Sequence, residues 1–330
     1  MHASQSRDDS YANGGAETGP NPLVTCIILN TNRRKDTLEC LTSLDKSTYG
    51  HFRIIVLDCQ STDGSVAAFR SAFPAIQVIE LGKNLGYAGN NNVGIRAALD
   101  QGTDWIFILN EDTVLAPDCL ERLIDIGQQS PDIGMLGPLV YHHDEPQVIQ
   151  SAGGEANRSW RFFHLGKNQV DRGQFAEPRD VRWISGCAIL LRTHVVRTVG
   201  PLDERFFIYC EEVEWCVRAA KNGWRIVHVP SAKVWHKGVQ RHYQPKPSYT
   251  YYTTRNRLLM LSKHHAPPSA RFLAWVRVIR TLASWTLRPK WRNNIDHRDA
   301  MWSGIKDFLR KRWGQMPVDR DAQVLSQHQD

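Results

Sequence analysis

No apolar run in this 330-residue chain approaches the roughly 18 residues that a helix needs to cross a bilayer, and Met1 lacks behind it the basic-then-apolar order of a secretory signal. Those two absences exclude a helical membrane protein and a secreted one, so the chain is expected in the cytoplasm. Paired cysteines are also missing. Cys26, Cys40, Cys59, Cys119, Cys187, Cys210 and Cys216 form an odd set without a CxxC pair, which excludes a zinc ribbon or thiol-redox motif and predicts reduced, mostly buried thiols. There is no internal repeat, hence no solenoid. A strong charge of one sign is absent from most of the chain, where 29 Lys and Arg face 28 Asp and Glu up to His265; the last 65 residues hold 12 against 6 and carry nearly all of the net charge of +7.

What the chain does have is a 42% hydrophobic share, enough for one large α/β domain with an appendage. Residues 1–20 are polar and aperiodic and are expected to be a disordered leader. Strands are expected over 24–30, 53–57 and 76–81, with helices over 36–44, 66–73 and, after the stretch from Asn84 to Gly94, a short helix to Leu99. The run Trp105-Ile106-Phe107-Ile108-Leu109-Asn110-Glu111-Asp112-Thr113-Val114 reads as a fourth strand buried on both faces and ending on acids. A helix over 117–126 and a strand over 133–140 follow. Four alternating strand and helix units predict a parallel sheet covered on both faces. Residues 141–182 lose all periodicity and are expected to form a long loop over a site. Order returns as strands over 184–191 and 225–229, helices over 211–220 and 249–261, and two amphipathic Trp- and Arg-rich segments over 270–287 and 300–313.

Open α/β sheets bind ligands at the carboxyl ends of their strands, and polar residues gather at those ends. Asp58 ends the second strand, where it can accept the imide N–H of a uracil or thymine. Ser61-Thr62-Asp63-Gly64-Ser65 is turn chemistry, and Asn84 to Asn92 is rich in Asn and Gly. Asp112 ends the opening run, where an oxygen ligand suits a hard divalent cation carrying a phosphorylated substrate. Helix-cap and tight-turn duties explain each of these sites singly; their coincidence on successive strands favours a ligand site. On the helix over 211–220, Val213, Cys216, Val217 and Ala220 predict one buried face. Glu211 and Glu212 fall in its first turn, where the helix dipole favours acids, and Glu214 and Arg218 form an i,i+4 pair. His236 follows an apolar strand and is either a packed side chain or a transition-metal ligand.

The stretch from Val24 to His265 resembles an inverting glycosyltransferase of family 2, in its bacterial rhamnosyltransferase-like branch. The resemblance is carried by Asn30-Thr31-Asn32, Asp58 with Ser61 to Ser65, Asn84-Leu85-Gly86-Tyr87-Ala88-Gly89, Leu109-Asn110-Glu111-Asp112-Thr113, Gly186-Cys187-Ala188, Asp203-Glu204-Arg205-Phe206-Phe207, Glu211-Glu212-Val213-Glu214, Trp235-His236 and Arg255-Asn256-Arg257. It implies a GT-A fold, Rossmann-like and mostly parallel, over 21–265, with 266–330 as a basic helical tail. It also implies a UDP- or dTDP-sugar donor, a glycan or lipid-linked glycan acceptor and a divalent metal, Mg²⁺ or Mn²⁺. Under it Asp112 and His236 hold the metal, and Asn30, Asn32, Asp58, Asp63, Asn84, Gly89, Asn110, Glu111 and Gly186 line the nucleotide sugar. Glu212, with Glu211 as its rival, is the general base, and Glu214, Arg255 and Asn256 lie on the acceptor side. The sequence departs from the family pattern at Asn110, where a strict DxD motif has Asp, and at Cys59-Gln60. It departs again at Glu211-Glu212-Val213-Glu214, which replaces Glu-Asp-x-Asp. These departures keep a second expectation open, a catalytically silent GT-A module that binds nucleotide sugar or glycan as a scaffold.

The tail interleaves Trp, Phe, Leu and Ile with Arg and Lys. That composition suits a helix at an anionic membrane surface, peripheral to the inner face of the plasma membrane, or equally a helix packed on the core or on a second copy in a homo-oligomer. Nucleic acid fits poorly, because no binding motif accompanies the basic stretch.

Overall fold

The computed structural model describes Gly19, residues 21–238 and residues 244–317. The leader expected over 1–20 and the end of the tail beyond Pro317 therefore lie outside the described residues, Gly19 excepted.

The first half follows the alternation of the sequence. β1 (Val24–Asn30), α1 (Arg34–Asp45), β2 (Phe52–Asp58), α2 (Ser65–Ala72), β3 (Gln77–Glu80), α3 (Gly86–Asp100) and β4 (Trp105–Asn110) appear in order. β1 pairs in parallel with both β2 and β4, and β2 with β3. Trp105, Phe107 and Leu109 of β4 enter one hydrophobic cluster while Ile106 and Ile108 enter another. The strand thus has no polar side, as its unbroken apolar run requires.

The opening run does not stay one strand. It ends at Asn110, turns through Glu111 and Asp112, and restarts as β5 (Thr113–Leu115), which pairs with a strand more than a hundred residues away. α4 (Cys119–Gln128) and the long, wholly buried β6 (Ile133–His142) come next. Residues 141–182 are not the structureless loop expected. They contain β7 (Ile149–Ser151) on the edge of β6, a two-stranded ribbon of β8 (Gly154–Ala156) and β9 (Phe162–His164), and β10 (Arg179–Asp180).

β11 (Ala188–Arg192) starts later than the expected 184, runs antiparallel between β4 and β6, and leads into α5 (Thr193–Val199). α6 (Glu211–Lys221) buries more than its predicted face. Val213 and Cys216 are covered, together with Trp215, Ala219, Glu211 and Glu214, whereas Ala220 is exposed. β12 (Arg225–His236) is continuous through a bulge after Val229, parallel to β6 and antiparallel to β5 and β10. The sheet order is β10-β12-β6-β11-β4-β1-β2-β3.

α7 (Pro247–Lys263), α8 (Pro268–Leu287), a short 3₁₀ turn (Pro289–Asn294) and α9 (Ile295–Leu309) close the described chain. Leu258 of α7, Met301 and Ile305 of α9, and Trp275, Val278, Leu282 and Trp285 of α8 form one cluster. Gly304 is small for a reason: a Cβ there would lie 2.7 Å from the Tyr251 carbonyl, so glycine lets α9 close onto α7.

Candidate functional site

Strand register gathers the site. Asn30 of β1 stands opposite Asp58 of β2, and Leu29 opposite Asn110 of β4, so the three polar ends form one row at the carboxyl edge of the sheet. His236 stands opposite Thr113, one residue past Asp112. The start of β11 closes the gap, since Asn110 N donates to the Cys187 carbonyl at 3.0 Å.

His236 Nε2 lies 3.0 Å from Asp112 Oδ1 and 3.3 Å from Asn110 Nδ2. Both Asp112 and His236 are buried, yet the contact is not aligned as a hydrogen bond and leaves Asp112 Oδ1 without a donor among the described residues. The other ring nitrogen, Nδ1, is 2.8 Å from Gln150 Oε1. With Nδ1–H donating to that amide oxygen, Nε2 presents its lone pair beside the Asp112 carboxylate. An orphaned carboxylate oxygen and an imidazole lone pair 3.0 Å apart match adjacent ligands of an octahedral cation with bonds of about 2.1 Å. Among the described residues no group of three or more His, Cys, Asp and Glu side chains could hold a metal by itself, so any cation here needs oxygens from its substrate. Burial pushes the Asp112 carboxyl up, but when His236 carries a proton on Nε2, that imidazolium and Arg33 outweigh it and hold the carboxyl below the ordinary range. Half-buried Glu111 is pushed up to about 7, by desolvation first and then by the Asp112 charge.

The paired acids open α6. Glu211 is buried, Glu212 half-buried, and Oε2 of each has no hydrogen-bond partner among the described residues. Burial raises both carboxyls; the charge of Glu212 lifts Glu211 further, to well above the ordinary range, while backbone amides at the start of α6 temper the rise of Glu212. A Cβ on Gly186 would stand 3.5 Å from Tyr87 Oη and 3.6 Å from Glu212 Cγ. Tyr87 itself donates to the Gly186 carbonyl at 2.6 Å. The Cys187 thiol is pushed up to about 12, by burial first and then by Asp112 and Glu212, so both carboxylates bear on this residue. Glu212 thus stands beside Gly186, and Asn110, which neighbours His236, bonds Cys187, so the two parts of the expected site meet at Gly186 and Cys187.

Other expected site residues have structural duties. Asn30 is fully buried; its Nδ2 donates to Asp58 Oδ1 at 2.7 Å and Ser61 Oγ at 2.9 Å, and its Oδ1 accepts from Thr37 Oγ1. With both amide protons spent, it orders Asp58 instead of meeting a ligand. Asp58 also accepts from Ser61 N at 3.0 Å and keeps a further lone pair on each oxygen. Asn32, in the left-handed region at φ 50°, fixes the Thr62 amide at 2.7 Å. Asp63 spends its oxygens on the amides of Ser65 and Arg34, with the Ser65 hydroxyl chiefly responsible for holding its carboxyl down. Asn84 accepts from Gly86 N at 2.8 Å and remains exposed. Gly89 is buried, and a Cβ there would lie 2.6 Å from Leu85 Cβ, so it serves packing.

The three acceptor-side assignments are corrected outright. Glu214 is fully buried and its carboxylate meets Arg218, Lys263 and His264 at 2.9, 2.8 and 3.1 Å. Arg255 and Asn256 are fully buried and bond the backbone before α6. None has a face left for an acceptor. Conversely, Gln150 and Tyr87 are absent from the expected set. Tyr87 lay within a quoted motif, but nothing in the spacing of Gln150, 86 residues from His236, could have marked it.

Solved structures that share this architecture are GT-A glycosyltransferases. A mannosyltransferase from Pyrobaculum calidifontis in complex with GDP-Man and Mn²⁺ superposes with a TM-score of 0.56 at 15% identity over 88% of each chain. GalNAc-T7 with UDP, GalNAc and Mn²⁺ superposes with a TM-score of 0.59 at 13% identity over 94% of this chain and 58% of that one. At such identities the likeness establishes the fold, and the fold class is GT-A.

The chain belongs to glycosyl transferase family 2, whose profile matches residues 25–200. It is 32% identical over 216 residues to the N-acetylglucosaminyl-diphospho-decaprenol L-rhamnosyltransferase of Mycobacterium tuberculosis, covering 59% of this chain and 70% of that one. It is 26% identical over 241 residues to the dTDP-rhamnosyl transferase RfbF of Shigella flexneri, covering 70% and 79%. It is therefore a glycosyltransferase of the rhamnosyltransferase-like branch.

Proposed function

We propose that this enzyme transfers a rhamnosyl group from a dTDP-activated donor to a lipid-diphosphate-linked N-acetylglucosamine, inverting the anomeric centre, with Glu212 as general base and a divalent metal at Asp112 and His236. What supports the reading is the close Asp112–His236 pair together with Glu212 beside Gly186, next to Cys187, whose carbonyl accepts from Asn110 N. The activities of the two relatives support the sugar and the acceptor.

Glu212 takes the proton of the acceptor hydroxyl as that oxygen attacks the anomeric carbon, and the bond from that carbon to the diphosphate breaks on the opposite face. Glu211, lifted well above the ordinary range by burial and by its neighbour, keeps its proton, so the pair carries one negative charge. A raised carboxyl is a stronger base near neutral pH than a solvated one, which matches Glu212 to proton abstraction. Tyr87 and Gly186 fix the wall against which Glu212 packs. When bound, Mg²⁺ or Mn²⁺ supplies positive charge to the departing diphosphate. The test is calorimetric titration with dTDP and UDP, with and without Mn²⁺, followed by product detection with dTDP-rhamnose and a polyprenyl-diphosphate N-acetylglucosamine. Nucleotide binding that ignores Mn²⁺ would remove the metal from the reading, and binding without turnover would leave only a scaffold.

We also propose that the tail rests on an anionic membrane. Among the described residues no helix is long and apolar enough to cross one. α8 nevertheless has two apolar faces. Ala270 and Ala274 are buried and Trp275, Val278 and Leu282 pack inward, while Phe272, Val276, Ile279 and Leu287 form an exposed stripe beside Arg277, Arg280 and Arg288. An outward apolar stripe edged with cations suits a lipid interface. Co-sedimentation with phosphatidylglycerol vesicles, lost in the Phe272→Glu/Ile279→Glu double variant, is the expected result; equal binding by both proteins would overturn it.

A further inference from the structure

The turn that leads into α6 is made of backbone conformations that L-residues avoid. Phe207, Tyr209 and Cys210 have φ of 65°, 70° and 72°, three left-handed residues within four positions. Such a turn persists only where its surroundings over-determine it. Glu211 and Glu212 come immediately after it, so its shape sets where the acids stand.

Two neighbouring side chains of α7 hold the turn. Asn256 Nδ2 lies 2.8 Å from each of the carbonyls of Phe206, Ile208 and Tyr209. Arg255 Nη2 donates to the Arg205 and Phe206 carbonyls at 3.2 and 3.0 Å, and its Nε donates to Asn256 Oδ1 at 3.0 Å, fixing that amide's orientation. The donor side leans on the same turn, since Ala88 N donates to the Phe207 carbonyl and a Cβ on Gly86 would lie 2.4 Å from that oxygen.

The far end of the clamp is anchored in the tail. Arg255 Nη1 donates to the Gly314 carbonyl at 2.7 Å and to Tyr251 Oη at 3.2 Å, and that hydroxyl donates to Asp307 of α9 at 2.7 Å. Tyr252 stacks on Phe207 with ring centres 5.5 Å apart, and its hydroxyl accepts from Met316 N at 2.8 Å.

We propose that Arg255 and Asn256 are positioning residues for the general base, holding the left-handed turn that presents Glu212, and that the segment Gly314 to Met316 completes this hold through Arg255 and Tyr252. The proposal rests on Glu212 as base. It makes the tail part of the catalytic geometry, in addition to any role at a membrane. A base displaced by an ångström loses about 10²-fold in rate although it remains in the site.

The test uses the full chain in two variants, Asn256→Ala and Tyr252→Phe, the second removing one oxygen while keeping the ring stack. Hydrogen exchange is followed without donor or metal, and kcat and donor KM are measured separately. Asn256→Ala is expected to speed exchange over residues 206–212 by about tenfold or more while β1 and β4 keep their protection. Its kcat should fall about 10²-fold with donor KM little changed. Tyr252→Phe should move both readouts in the same direction by less. Unchanged exchange over 206–212 in both variants overturns the proposal, as does faster exchange with kcat intact. If Asn256→Ala loses protection throughout the sheet, Tyr252→Phe alone decides on the same criteria. Exchange needs no turnover, so if Glu212→Gln proves fully active the choice of base fails while the exchange result still judges the clamp.

Discussion

Glu212 and Glu214 stand two residues apart on one helix and have opposite electrostatic fates. Glu212 has a carboxylate oxygen with no partner among the described residues and a carboxyl raised by burial. Glu214 is buried more completely, yet His264, Arg218 and Lys263 outweigh the cost of its burial and hold it near 2. Burial alone therefore does not make a base. What differs is whether cations accompany the carboxylate: those around Glu214 fasten α6 to α7 and to the turn after it, whereas among the described residues none pairs with Glu212, as the proposed base requires.

The largest effect should come from Glu212→Gln, which is expected to lower kcat by about 10² to 10⁴ with nucleotide binding intact; a greater loss in Glu211→Gln would exchange their roles. Glu214→Ala should instead cost about 3–5 kcal/mol in urea unfolding, because three cations lose a buried partner, while kcat per folded molecule stays close to wild type. Gln150→Leu should weaken Mn²⁺ binding about 10- to 100-fold by freeing the His236 ring; unchanged affinity would separate Gln150 from the metal.

The smallest effects are those of pH. The folded-state carboxyl of Glu214 is depressed, so its stabilisation is complete above the unfolded value near 4.5 and disappears as pH falls toward 2. Glu211 is raised, so its contribution is complete below 4.5 and is lost as pH rises. Glu211→Gln should therefore raise the Tm at pH 8 and leave it unchanged at pH 4, which thermal unfolding at the two pH values checks.

Much of the first half was legible. β1 begins and ends where the apolar run does, and the acids at the end of β4 lie at the ligand edge, because a strand covered on both faces must be apolar throughout and must stop where polarity begins. The break after Asn110 was not legible, since β5 exists only by pairing with β12. Nor was the short-stranded region over 141–182, whose edge strand brings Gln150 to His236. The motif residues Asn30, Glu214, Arg255 and Asn256 were found in the sequence but given the wrong duty, because a polar side chain in a motif reads the same whether its partner is a ligand or a buried carbonyl.

The amino-acid sequence by itself determined the alternating elements, the family and the cluster of acids at the strand ends, all of which depend on residue type and near spacing. Only the tertiary structure decided which acid is neutralised and which is left alone, and which polar groups support the site from behind. Hydrogen bonds and ion pairs between residues 50 to 126 positions apart set those outcomes, and local pattern carries no trace of such distances.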